Sequence, residues 1–222
     1  MTYVNFIEKY LQKMNIGIPI YIKSISKEAS LFYGIPEGKA SAAISVAFKR
    51  IIDGNQVPNL RMYQKGIYYK TKVTPFGETG IDVGKLIEKK YIFPDIGYET
   101  GLSALYRIGL TSQIPNEISI STNVAKEFSR IDERLGVVLK QPKTTINGKN
   151  KYYLQILDIL DCIDKAPVDA IEPYKIIANH INDRKLQYSE LLAYADRYYN
   201  KKTIIELAHT ASIGGASVWN CI

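Results

Sequence analysis

Hydrophobic positions near the start of the chain fall at helical spacing. Between Tyr3 and Asn15, the residues Val4, Ile7, Leu11 and Met14 recur three and four apart, which predicts an amphipathic helix. A proline-containing apolar piece, GIPIYIKSI, follows. Ser26 stands where an N-cap would, ahead of a short helix over Lys27 to Tyr33 that Gly34 ends. Gly34 to Gly38 reads as a turn, and Lys39 to Asp53 as a second, longer helix with Gly54 just beyond it. A short helix joined to a longer one by a tight glycine-containing turn is the layout of a helix-turn-helix.

The longer helix has two faces. Ala40, Ile44, Ala47, Phe48 and Ile51 share the side that would pack on its neighbours. Lys39, Ala42, Ser45, Val46, Lys49 and Arg50 point the other way, a basic face of small, hydroxyl and aliphatic groups suited to a major groove. There Lys and Arg reach phosphates or guanine, Ser meets base edges, and Ala or Val can touch a thymine methyl. The next stretch, QVPNLRMYQKGIYYK, is strand-like on both sides of Gln64-Lys65-Gly66 and predicts a hairpin. Placed directly after the helix it is a wing, with Arg61, Gln64 and Lys65 to lie along the backbone or in the minor groove. Tyr63, Tyr68 and Tyr69 are read as strand packing.

Val73 to Gly80, VTPFGETG, is a Pro- and Gly-containing connection and the expected domain boundary. Beyond it the pattern predicts a helix over Asp82 to Lys89, an apolar piece YIFPDIGY, and a short helix marked by Leu102, Leu105 and Tyr106. Gly109 suits a C-cap or a close approach of backbones. Glu117 to Asn123 alternates strictly, as a half-buried strand does; Gly136 to Lys140 and Lys151 to Ile156 are further strand candidates, with Asn147-Gly148 as the turn between them. The last third reads as helices over Asp158–Asp164, Pro173–Asn182, Tyr188–Tyr199 and Lys201–Ile213, the last ending at Gly214-Gly215. The expected fold is α+β: a winged helix-turn-helix over residues 1–74, then an α/β domain over 75–222 with a small mixed sheet and C-terminal helices.

Charge sharpens the division. The chain of 222 residues carries a net +7, and residues 1–74 hold 11 Lys and Arg against 4 Asp and Glu, while the remainder holds 18 of each. The whole excess therefore lies in the first third, as a footprint for a polyanion would. At 46% apolar the chain can bury sizeable cores. Its N-terminus alternates charged and apolar residues, unlike a signal peptide, and no run approaches the length of a membrane helix, so a cytoplasmic location is expected. Cys162 and Cys221 are far apart and are read as reduced and structural.

SAAISVAFKRIIDGNQVPN with KGIYYK, followed by YETGLSALYRIGLTSQIPNEISIST, resembles the AbiEi-type antitoxins of type IV toxin-antitoxin (abortive infection) systems. The resemblance covers about residues 18 to 125, and its most specific phrase is ALYRIGLTSQIPNEI. It implies an N-terminal winged helix that binds double-stranded operator DNA and represses its own operon. It also implies a second domain that counteracts a nucleotidyltransferase-like toxin encoded alongside, with or without direct contact. Carried over to this chain, the DNA-facing positions are Lys39, Ser41, Ser45, Lys49 and Arg50 on the helix and Arg61, Gln64 and Lys65 on the wing; the antitoxin-domain signature is Gly109, Leu110, Thr111, Gln113 and Pro115.

No enzyme is expected. The toxin's own chemistry would need a Gly-Ser followed by paired acidic residues, and the chain has no Gly-Ser pair. Asp169 with Asp183-Arg-Lys185 mimics a nuclease constellation, but Asp183 ends a helix instead of lying on a strand. Asp158, Asp161 and Asp164 repeat at helical spacing and read as a solvated acidic face. His180 and His209 lack neighbouring ligands, so no metal is expected, and no phosphate loop or dinucleotide fingerprint suggests a cofactor. The alternative of a different class is a winged helix used for protein contact, or a regulator without a toxin partner, against which the basic face of the longer helix stands.

Overall fold

The computed structural model describes residues 2–213. The protein is α+β and divides into two compact units, Met1–Leu86 and Ile87–Ile222.

In the first unit the order is α1 (Tyr3–Lys13), β1 (Ile20–Tyr21), α2 (Ile22–Tyr33), α3 (Glu37–Asp53), β2 (Leu60–Gln64) and β3 (Ile67–Lys70). Its sheet runs β1-β3-β2, antiparallel throughout. The apolar stripes of the helices meet as read: Ile7 and Leu11 of α1, Ile25 and Ala29 of α2, and Ala40, Ile44, Phe48 and Ile51 of α3 form one core with Ile20, Leu60 and Tyr68. Full burial of a side chain such as Ile44 or Phe48 contributes about 1.5–3 kcal/mol each. Tyr68 stacks on Phe48 with ring centroids 4.7 Å apart, which fixes the hairpin against α3.

Three boundaries differ from the sequence reading, the first being that α3 begins at Glu37, two residues ahead of Lys39. Ser26 is not an N-cap. The strand β1 turns straight into α2 at Ile22, whose amide donates to Gly66 O at the hairpin tip, and the buried Ser26 hydroxyl donates back to Ile22 O at 2.8 Å. The division of the chain also falls later than Thr74. A second hairpin, β4 (Val73–Thr74) with β5 (Gly77–Glu78), is fastened to the first by Thr71 Oγ1 donating to Thr79 O at 2.7 Å, and Asp82 N donates to Gly17 O at 2.8 Å. Those bonds hold residues 73–82 in the first unit. The helix α4 (Val83–Ile87) runs across the division.

The second unit opens with a π-helical turn, Glu88–Ile92, where a longer helix to Lys89 was expected. Then follow β6 (Gly97–Glu99), α5 (Gly101–Arg107), β7 (Ile118–Thr122), β8 (Ser129–Asp132), β9 (Val137–Lys140), α6 (Lys151–Cys162), α7 (Pro173–Asp183), α8 (Tyr188–Tyr198) and α9 (Lys201–Ile213). The expected helix stop at Gly214-Gly215 lies outside the described residues, as does Cys221. The sheet is mixed, in the order β6-β7-β9-β8, with β7 parallel to β9 and the other pairs antiparallel. One face carries Ile120, Val137 and Leu139 against Ile87 and Tyr91. The other carries Tyr98, Ser121 and Lys140 side by side across β6, β7 and β9. With Ile120 and Ser121 both buried, β7 is covered on two sides, not half-buried as its alternation suggested. Helices α5 to α9 close a separate core around Leu105, Leu110, Leu157, Leu160, Ile177 and Leu207.

Lys151 to Ile156 is helix, not strand. Leu154, Leu157 and Leu160 are wholly buried at spacings of three, so the segment continues into the stretch read as a helix from Asp158. The Asn147-Gly148 turn leads into that helix instead of a strand: Asn147 Oδ1 accepts from the amides of Lys149 and Asn150, and Asn150 Oδ1 accepts from Asn147 N.

Candidate nucleic-acid interface

The outward face of α3 consists of Lys39, Ala42, Ser45, Val46, Lys49 and Arg50, all exposed, while the opposite stripe is buried to the last residue. Among the described residues no ion pair ties the cations of Lys39, Lys49 and Arg50. Ser41 is half-buried, and its carbonyl accepts from the Ser45 hydroxyl at 2.8 Å. Ser45 therefore offers its oxygen lone pairs outward while its proton is held by the helix, and Ser41 stands at the margin of the face.

At the hairpin tip Lys65 is exposed and Gln64 half-buried. The register slips between Met62 and Gln64, a bulge that bends the tip before Gly66. Arg61 has a different task from the one read in the sequence. Its Nε and Nη2 donate to the two carboxylate oxygens of Glu78 at 3.0 and 2.5 Å, and Nη1 donates to Pro58 O and Leu60 O at 2.7 and 3.1 Å. Every guanidinium nitrogen is engaged inside the unit, so Arg61 clamps β5 to the base of the first hairpin and is removed from the phosphate-facing set. Lys70 is likewise committed: its ammonium donates to Leu11 O and Met14 O and closes the C-terminus of α1.

The signature stretch of the second unit is a structural closure. Gly109, at φ +79°, follows the end of α5; Gly109 N donates to Tyr106 O and Leu110 N to Leu105 O, the paired bonds of a Schellman ending. Nothing stands within 4 Å of where a Cβ would be, so conformation and not close approach requires glycine there. Leu110 is wholly buried and Thr111 nearly so. Thr111 Oγ1 accepts from Gln113 N, and Ser112 donates through its amide and its hydroxyl to Asp169, whose carboxyl these bonds hold below its usual range. Asp169 N and Ala170 N return to Leu110 O. Asp169 is thereby spent on the loop, with Gln113 exposed and Pro115 half-buried beyond it.

Asp158 and Asp161 of α6 form no solvated face; Asp164 lies beyond the end of the helix at Cys162 and is exposed. Asp158 Oδ1 accepts from the Tyr199 hydroxyl at 2.6 Å, and Oδ2 from the Tyr98 hydroxyl and Thr100 Oγ1, each at 3.0 Å. Burial outweighs these bonds and pushes its carboxyl above the ordinary value. Asp161 accepts from Asn200 Nδ2 and Thr203 Oγ1, and Asp164 pairs with Lys202. Sequence spacing put the three acids on one helix, but α6 ends before Asp164, and spacing could not show that their partners come from β6, the start of α5 and the α8–α9 junction. Cys162 is half-buried, and burial raises its thiol to about 11, so it is not a nucleophile at neutral pH. Among the described residues no group of three or more His, Cys, Asp or Glu could hold a metal ion, and no helix is long and apolar enough to cross a membrane.

No family model matches the chain, and no curated protein does. Among solved structures it is similar to the crystal structure of the RV2827C protein from Mycobacterium tuberculosis, at 10% identity and a TM-score of 0.48, over 96% of this chain and 77% of that one. The functional reading therefore stands on the residues themselves.

Proposed function

We propose that the first unit is a winged helix-turn-helix that binds double-stranded operator DNA. We propose further that the protein acts as antitoxin and autorepressor of a type IV toxin-antitoxin operon in the cytoplasm, countering a nucleotidyltransferase-like toxin. The observation that carries the DNA reading is the outward face of α3, where three cations without ion pairs among the described residues stand beside small and hydroxyl side chains on a helix whose other face is core. The hairpin that follows α3 in the sheet order β1-β3-β2 supports it, with Lys65 at its tip. Lys39, Lys49 and Arg50 neutralise phosphates or read guanine, Ser45 accepts from a base amino group, and Ala42 and Val46 lie against thymine methyls. Lys65 and Gln64 follow the backbone past the groove, and Arg61 keeps the hairpin base rigid.

The antitoxin half of the reading rests on the resemblance of the Gly109–Pro115 phrase to the AbiEi-type family. Titrating the DNA upstream of the protein's own gene with wild type and with the Lys49→Ala, Arg50→Ala double variant tests the first half. Binding lost in the folded double variant supports it, and unchanged binding removes α3 from the interface. Co-expression with a neighbouring nucleotidyltransferase tests the second: growth rescued by the full chain supports it, and continued growth arrest contradicts it.

A further inference from the structure

The sheet face that packs towards α6 carries a polar row where a core would ordinarily be apolar. Register places Tyr98 beside Ser121 and Ser121 beside Lys140. Tyr98 and Ser121 are buried and spoken for, but the half-buried Lys140 ammonium has no ion pair or hydrogen bond among the described residues. It stands over the start of α5, so close that a Cβ added to Gly101 would lie 3.3 Å from its nitrogen. Around it is a cavity of about 170 Å³ lined by Thr100, Gly101, Ser121, Asp158 and Cys162. Gln141, Lys143 and Asp161 line it as well, and so does Phe128, 87% exposed and placed by the Gln141 N to Phe128 O hydrogen bond.

Two carboxylates line the same cavity, yet neither pairs directly with the Lys140 ammonium, which is left to meet an anion from outside. Asp158 is saturated by three hydroxyl donors, and Asp161 accepts from Asn200 and Thr203 and holds Lys143 only at 3.9 Å, a distance that leaves Lys143 able to turn to a better acceptor. The volume decides which part of a ligand enters: whole-ligand pockets run to about 300–1,000 Å³, so this one takes a phosphoryl group and leaves the rest outside. What lies outside is an exposed aromatic ring, on which any base can stack.

We propose that this cavity binds a nucleotide, with its phosphates on Lys140 and Lys143 and its base on Phe128. The site belongs wholly to the second unit and does not depend on the DNA reading of the first. Gln141 offers an amide to the phosphate or ribose at the rim.

Calorimetric titration of the full chain with inorganic pyrophosphate, UTP and uridine tests it. Pyrophosphate and UTP are expected to bind below about 1 mM, UTP the more tightly and uridine not measurably. Lys140→Gln should weaken both phosphate ligands by about tenfold, the loss of one charge-assisted contact. Phe128→Ala should weaken UTP by about fivefold or more and leave pyrophosphate unchanged. The Lys49→Ala, Arg50→Ala variant should bind as wild type does. No binding of either phosphate at about 5 mM would overturn the proposal, as would wild-type affinity in folded Lys140→Gln, or loss of binding in the α3 variant instead. If Lys140→Gln does not fold, amide shifts in the wild type decide: pyrophosphate must move Gly101 and Gln141, and shifts confined to the first unit contradict the site.

Discussion

Replacing Asp158 with alanine takes the acceptor from three hydroxyls at once, those of Tyr98, Thr100 and Tyr199. Tyr98 is 1% exposed and Thr100 4%, so neither can turn to bulk water; each orphaned buried donor costs about 1–3 kcal/mol. Thr100 lines the adjoining cavity, which can admit water, and Tyr199 is only half-buried, which keeps the total near the lower end of that sum. The expected loss is about 3–5 kcal/mol, confined to the second unit. Asp158→Asn keeps the size and lets the hydroxyls reverse, so about 1 kcal/mol is expected. The pH dependence follows from the raised carboxyl. A folded-state value above the unfolded one means that the group's stabilising contribution is complete below the unfolded value and is lost as pH rises through the folded one. The deficit of Asp158→Asn relative to wild type should therefore be larger near pH 4 than near pH 7. Urea unfolding followed by circular dichroism reads both effects in the transition of the second unit. A loss below about 1 kcal/mol in Asp158→Ala, or a deficit that grows toward neutral pH, would refute the hub role of Asp158.

Three further outcomes follow from the same geometry. A Cβ on Gly97 would lie 2.1 Å from Tyr91 O and 2.8 Å from Ser121 O, so Gly97→Ala should forbid the β6–β7 pairing and lower the second unit's melting temperature sharply; a near-native melting curve would contradict the packing. Burial works upward on Asp132, but the Lys90 ammonium and the Tyr91 hydroxyl prevail and hold it at about 2, a contribution present above the unfolded value and lost as pH falls toward 2; Lys90→Met should flatten that acid limb in a pH-stability profile. Arg61→Ala should destabilise the first unit by about 1 kcal/mol without changing the salt slope of DNA binding, whereas Lys65→Ala should reduce that slope by about one while leaving stability unchanged.

The helices were legible where their apolar residues repeat at three and four, and α3 is the clearest case: the buried stripe Ala40, Ile44, Ala47, Phe48, Ile51 is the one the spacing assigns. The segment KYYLQI failed because its β-favouring tyrosines and alternating polarity mimic a strand over six residues, and only the continuation to Leu157 and Leu160 shows the helical period. Strand β8, SRID, was invisible because an exposed edge strand carries no apolar alternation; it is held by its backbone bonds to β9. The same non-locality hid the roles of Arg61 and Asp158. Glu78 is 17 residues from Arg61, and the partners of Asp158 are 41, 58 and 60 residues away, so residue type alone read the one as a phosphate contact and the other as surface.

The salt dependence of operator affinity tests the central claim most directly. With Lys39, Lys49, Arg50 and Lys65 each releasing a counterion, log affinity should fall against log salt with a slope of about −3.6, roughly a hundredfold between about 50 and 200 mM. A slope near zero, or one unchanged in the Lys49→Ala, Arg50→Ala variant, would contradict a DNA-binding face on α3.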